Sequence, residues 1–246
     1  MKTLKDKIIL VTGASRGIGA SIAHKVAAAG AKVIVNYAGN TAAAEQTVKE
    51  IIAQGGDAIA IQADVSNSAA VEALFDQAIE HYGRIDVLVN NAGIMITKLL
   101  KETSDEDFSR QFDINVKGTF NTMRAAATRL ADNGSVINFS TSVNRIMLPG
   151  YSTYVATKAA VEQLTRVFSK EVGGRGINVN SISPGPTNTE LFTNGKPQEV
   201  IDRLASLSAF NRIGEPEDIA QVVVFLASDD AKWITAQNIG VNGGMA

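Results

Sequence analysis

The sequence predicts an α/β fold: a doubly wound, seven-stranded parallel sheet with helices on both faces. Three observations lead there. Short β-rich runs alternate with helical stretches along the 246 residues. The runs are nearly continuous in apolar residues, as in strands buried on both sides. A glycine-rich turn, "TGASRGIG", joins the first run to the first helix.

Each element follows from its local pattern. "KIILVTG" is the first strand, ending at Gly13. Residues 17–29 form a helix, because Ile18, Ile22, Val26 and Ala29 fall on one face. "AKVIVNY" is the second strand, and a helix over 41–54 stops at Gly55-Gly56. "DAIAIQAD" and "IDVLVNNAG" are strands flanking a helix over 68–82. A long helical region spans 105–131, followed by the strand "GSVINFSTS". A helix over 152–172 leads into the strand "GINVNSISPG". A helix over 216–227 precedes a short last strand in "QNIGVNGG". Right-handed crossovers wind these units onto one sheet. Residues 185–212, with Pro186, Asn194-Gly195 and Pro197, form an irregular loop with a short helix. No linker or repeat interrupts the pattern, so a single domain over 1–246 is expected.

Composition narrows the function. An apolar share of 45% and a net charge of −2 describe a soluble globular chain. Lys and Arg are scattered, which argues against nucleic acid as a partner. With no cysteine, disulfides, thiol catalysis and Cys-based metal sites are excluded. The two histidines, His24 and His81, are far apart, and no metal site is expected. The apolar run in "MKTLKDKIILVTG" is too short for a signal peptide or membrane span, so a cytoplasmic protein is expected.

The turn containing Gly13, Ser15, Arg16, Gly17, Ile18 and Gly19 suits a dinucleotide. Glycines let a phosphate approach a helix N-terminus, where free N–H groups favour an anion. The lysine and hydroxyl of an ATP-binding loop are absent. At the end of the second strand, Asn36, Tyr37 and Ala38 carry no acid for the ribose hydroxyls of NAD. Arg16 is a cation within reach of a 2′-phosphate, so NADP is favoured over NAD. In "YSTYVATK", Tyr154 and Lys158 lie one helical turn apart. A tyrosine hydroxyl has a pKa of about 10, and a fixed cation lowers it. The pair reads as a proton donor and its tuner, with Tyr151 two turns from the lysine.

"TGASRGIG", "NNAG" at 90–93, "DINVKG", "YVATK" at 154–158, "SPG" at 183–185 and "VNGG" occur in register over essentially the whole chain. The set resembles the short-chain dehydrogenase/reductase family, a Rossmann-type fold. Within it the chain is similar to NADPH-dependent 3-oxoacyl-carrier-protein reductases. It is closer still, through "VNYAGN" and "FNRIGEPEDIA", to relatives that resemble trihydroxynaphthalene reductase. The resemblance implies Tyr154 as proton donor. Lys158 would tune it and bond the nicotinamide ribose, and Asn115 would hold a water behind Lys158. A hydroxyl after the fifth strand would fix the substrate carbonyl; Ser142 is favoured, with Thr141 close behind. The backbone of Asn91, Ala92 and Gly93 would approach the cofactor, and Asn90 would steady the sheet. Asp64 and Val65 would hold the adenine. Pro184, Gly185 and Thr187 would border the nicotinamide.

The implied reaction is reduction of a small-molecule ketone by NADPH. The loop over 187–212, with Leu191 and Phe192, would cover a hydrophobic substrate opposite Met147, Leu148 and Tyr151. Acyl carrier protein is an optional partner, weakened because Asp132 follows Arg124 and Arg129 where a basic patch is usual. The resemblance also implies a homotetramer built through the helices at 105–131 and 152–172. The competing class is a non-catalytic NADP-binding sensor or scaffold; the retained Tyr–Lys pair speaks against it. Epimerisation or dehydration on the same fold is a third option, disfavoured by the short C-terminal substrate region.

Overall fold

The computed structural model describes residues 3–246. The strands are β1 (Ile8–Val11), β2 (Lys32–Tyr37), β3 (Asp57–Gln62), β4 (Ile85–Asn90), β5 (Leu130–Phe139), β6 (Asn178–Pro184) and β7 (Asn238–Val241). They form one sheet in the order β3-β2-β1-β4-β5-β6-β7, with every pair parallel. The order reverses between β1 and β4. A crevice therefore opens at their C-terminal ends, where ligands bind in such sheets.

The pleat sends alternate residues to two cores. Ile9 and Val11 of β1, Val33 and Val35 of β2, and Val87 and Val89 of β4 face one layer. That layer holds α1 (Gly17–Ala28), α2 (Thr41–Ala53) and α10 (Pro216–Ala227). Ile8, Leu10, Ile34 and Leu88 face the other. There lie α3 (Ser68–Tyr82), α5 (Gly118–Arg129) and α7 (Ser152–Glu171). A buried polar chain crosses the second layer. Asn90 Nδ2 donates to Asn138 Oδ1 at 2.8 Å, Thr122 Oγ1 to Asn90 Oδ1 at 2.7 Å, and Asn138 Nδ2 to Thr165 Oγ1 at 2.8 Å. Asn90 thus ties β4 to β5 and α5, and Asn138 continues the chain to α7.

Three segments differ from the sequence reading. The helical region at 105–131 is divided: α4 (Asp105–Phe112), a π-helical turn at Asp113–Lys117, then α5. Residues 130–131 already belong to β5, whose register with β4 shifts between Ile85 and Val87. A short helix, α6 (Val143–Ile146), follows β5 and ends at Met147 with φ 58°. Four residues carry too little periodicity to announce a helix. The loop after β6 holds two helices rather than one, α8 (Glu190–Thr193) and α9 (Gln198–Ala205). Among the described residues, no helix is long and apolar enough to cross a membrane.

Candidate active site

The β1–α1 turn is shaped by its glycines. Gly13 and Gly17 have φ of 63° and 55°, a region L side chains rarely enter. At Gly19 a Cβ would lie 2.2 Å from Gly13 O and 2.6 Å from Asn91 Nδ2. That amide donates to Thr12 O and Gly13 O, locking the turn to the end of β4. No acid occupies the first turn of α1, so its unpaired N–H groups face outward without a competing charge. The cradle fits a dinucleotide's phosphates.

Beside it is a mostly apolar cleft. Its walls include Ile94, Met95, Ile146, Leu148, Tyr151, Leu191, Phe192 and Met245, and at its base are Thr141, Ser142, Tyr154 and Lys158. Tyr154 and Lys158 sit one turn apart on α7, with Lys158 Nζ 5.9 Å from the Tyr154 ring centroid. Nζ donates to Phe139 O at 2.9 Å. Burial pushes the Tyr154 phenol up to about 12; the nearby Thr141 hydroxyl pulls the other way, and Tyr151 adds a smaller push upward. Burial lowers the Lys158 ammonium to about 8. The depression of the phenol expected from the lysine does not appear among the causes of the shift, and desolvation dominates it. The result is a phenol that keeps its proton across the neutral range.

Asn115 lies in the π-turn, completely buried. Its Oδ1 accepts from Ile94 N at 2.9 Å, and its Nδ2 donates to Ile94 O at 2.9 Å and Thr157 Oγ1 at 3.1 Å. The side chain therefore joins the strand after Gly93 to α7, immediately behind Lys158. π-turns of this kind recur at functional sites.

Residues 13–246 match the family described as enoyl-(acyl carrier protein) reductase. The 3-oxoacyl-[acyl-carrier-protein] reductase FabG of Staphylococcus aureus is 43% identical over 241 residues, covering 97% of this chain and 98% of that one. A short-chain dehydrogenase from Burkholderia cenocepacia J2315, solved in complex with NADP, superposes with a TM-score of 0.94 at 34% identity, covering 99% of each chain. The angucycline C-6 ketoreductase LanV, solved with bound NADP, gives 0.93 at 40% identity, covering 99% of this chain and 96% of that one. The chain belongs to the short-chain dehydrogenase/reductase family.

Within that family's frame, the residues expected from sequence separate into three groups. Gly13, Ser15, Arg16, Gly17, Ile18 and Gly19 form the turn at the crevice, with Asn91, Ala92 and Gly93 opposite. Gly93 is packed so closely that a Cβ would lie 3.2 Å from Asn115 Oδ1 and 3.5 Å from Lys158 Nζ. Pro184, Gly185 and Thr187 line the cleft with Tyr154. Tyr37 ends β2 and Ala38 follows it, and Asp64 is exposed, its Oδ1 accepting from Ser66 N and Oγ.

The second group departs from expectation. The Asn36 side chain is buried and donates to Ile61 O at 3.2 Å and Ala63 O at 3.1 Å. It bonds β2 to the end of β3 and presents nothing to a ribose, because a buried amide must find partners. Val65 is buried beneath α5, where Gly118 leaves room for it. Arg16, unlike these two, does not depart: it is exposed at the turn and meets Glu190 of α8 at 3.3 Å. Ser142 Oγ is buried without a partner among the described residues, whereas Thr141 Oγ1 accepts from Val143 N at 3.3 Å; both line the cleft with Tyr154.

The third group was not foreseen. Ile94 and Met95 line the cleft from the loop after β4, Ile146 lines it from α6, and Met245 reaches it from residues after β7. Only contact in the folded state brings Met245 there, since nothing in its neighbours marks it.

Proposed function

We propose that this oxidoreductase reduces a hydrophobic ketone to a secondary alcohol with NADPH, Tyr154 donating the proton. The observation that carries the reading is the buried Tyr154 phenol, with Thr141, Ser142 and Lys158 around it, at the base of an apolar cleft beside the glycine cradle. NADPH, when bound, supplies the hydride. Tyr154 holds its proton at Oη, within reach of a carbonyl oxygen seated in the cleft. A hydroxyl beside the phenol orients that oxygen: Thr141, whose Oγ1 accepts from Val143 N and which pulls the Tyr154 phenol down, or the adjacent Ser142. Lys158 places a positive charge where negative charge develops on Tyr154 as the proton leaves. Asn115 holds Gly93–Ile94 and α7 together around that lysine.

The preference for NADPH rests on the acid-free end of β2 and on Arg16 at the mouth of the cradle. Ketone reduction is favoured by what FabG and LanV are named for, 3-oxoacyl and ketone reduction. The apolar lining suits a hydrophobic carbonyl compound, free or as an acyl thioester on a carrier protein. The reading includes a homotetramer: Phe108 of α4, Phe120 of α5 and Val167 of α7 are exposed on the helices expected to pair.

The test follows NADPH and NADH oxidation at 340 nm with simple ketones, a 3-oxoacyl thioester and an enoyl thioester. Reduction of ketones or the 3-oxoacyl thioester, faster with NADPH, is expected. Turnover of the enoyl thioester alone would replace ketone reduction by reduction of a carbon–carbon double bond.

A further inference from the structure

We infer that Glu162 is a positioning residue that holds the hydroxyl-bearing segment against the helix carrying the proton donor; this rests on the ketone-reduction reading. Glu162 lies on α7 one turn beyond Lys158 and two beyond Tyr154, on the same face. Its side chain is 15% exposed, a rare place for a carboxylate without strong partners. It has two. Ser140 Oγ donates to Oε1 at 2.6 Å, and Asn144 Nδ2 donates to the same oxygen at 2.6 Å. Asn144 Nδ2 also lies 3.2 Å from Ser140 Oγ. Among the described residues its one ionic neighbour is Arg166, at 3.9 Å and half exposed, which adds little.

The two donors bracket the residues that matter. Ser140 precedes Thr141 and Ser142, and Asn144 follows them at the start of α6. One carboxylate oxygen therefore grips the segment on both sides of the hydroxyl. From below, Ser140 N donates to Ile182 O and Ser142 N to Pro184 O, continuing the β5–β6 pairing past the strand. Val143 N donates to Thr141 Oγ1 at 3.3 Å, fixing that side chain in turn. The orientation of Asn144 is dictated by the clamp: turning its amide over would set Oδ1 against the carboxylate. In the orientation adopted, Oδ1 is buried and unpartnered, so the Glu162 contact outweighs that loss.

The consequence is geometric. Tyr154 and Glu162 share a rigid helix, whereas Thr141 sits on a segment with no regular structure of its own. Glu162 converts that segment into part of the helix's frame and sets the Thr141–Tyr154 spacing. It also holds α6, whose Val143 and Ile146 form one wall of the cleft.

The test compares the wild-type protein with Glu162→Leu, Glu162→Gln and Asn144→Ala. Three quantities are read: amide hydrogen exchange over 140–147, NADPH affinity by fluorescence, and kcat with the best ketone. Glutamine keeps an acceptor oxygen for both donors; leucine leaves both unpaired. Faster exchange over 140–147 is expected in Glu162→Leu and Asn144→Ala but not in Glu162→Gln. kcat should fall by about 10- to 100-fold in Glu162→Leu, the scale of a sub-ångström to 1 Å misplacement, and NADPH affinity should hold. Glu162→Gln should retain most of the wild-type kcat. Unchanged exchange in Glu162→Leu overturns the clamp. Equal losses in leucine and glutamine variants, with NADPH affinity falling in step, overturn it in favour of a plain structural role. If the wild-type protein reduces no ketone, the ketone reading fails instead, and the exchange data alone decide the clamp.

Discussion

The cradle and the cleft are built on different principles. The cradle, from Gly13 to Gly19 and across to Asn91, is made of backbone. Its shape follows from φ values and from the space that missing Cβ atoms leave. The cleft wall is made of side chains on short pieces, α6, α8 and α9, together with Met245 from residues after β7. Backbone geometry tolerates few residue types, whereas an apolar wall accepts many of similar volume. The difference teaches where chemistry and selectivity reside: one cofactor cradle can serve many walls.

The comparison is broken most severely at Gly19. Gly19→Ala puts a methyl group 2.2 Å from Gly13 O, against backbone rather than a yielding side-chain tip. We expect loss of NADPH binding by fluorescence titration, with about 1–3 kcal/mol lost in chemical denaturation.

Next in size is the contrast between two adjacent hydroxyls. Thr141→Val should lower kcat by about 10²- to 10³-fold, as for other groups that stabilise a developing oxyanion. Ser142→Ala should leave kcat near wild type. Because it removes a buried, unpartnered hydroxyl, it should hold or raise stability by about 1 kcal/mol. Steady-state kinetics and thermal unfolding of both variants give the comparison. The reverse outcome would make Ser142 the orienting hydroxyl.

The smallest effect is in pH dependence. The Lys158 ammonium, lowered from 10.5 to about 8 by burial, is charged below that value and neutral above it. Tyr154, raised to about 12, stays protonated throughout. The kcat for ketone reduction should therefore be flat below pH 8 and decline above it, by at most about tenfold per pH unit. In Lys158→Met the decline should vanish at a lower plateau. A decline centred near pH 10 in the wild type would mean that Lys158 is less desolvated than its burial indicates.

What could be read from the chain follows the same division. The parallel sheet, α3 and α10 match the apolar pattern closely, because a strand buried on both faces leaves little choice of residue. Gly13, Gly19, Tyr154 and Lys158 were legible because backbone shape and one-turn spacing are local properties. The π-turn at Asn115 was not: it is a one-residue insertion into helical hydrogen bonding that leaves the residue types unchanged. Asn36 was misplaced because sequence shows a polar residue at a strand end but not which way its amide turns. Which of Thr141 and Ser142 serves the carbonyl depends on side-chain direction in a segment too short for periodicity. Met245 and Glu162 act through contacts distant in sequence, and only folding brings them to the site.

The central claim is that the buried phenol of Tyr154 is the proton donor, and Tyr154→Phe tests it most directly. The substitution removes one oxygen and leaves the ring's packing in place. NADPH affinity by fluorescence titration and kcat for the best ketone should be measured on the same preparation. The account predicts unchanged affinity with kcat reduced by about 10²- to 10⁴-fold, the range for a positioned acid. Ketone reduction at near wild-type rate with affinity intact would contradict it.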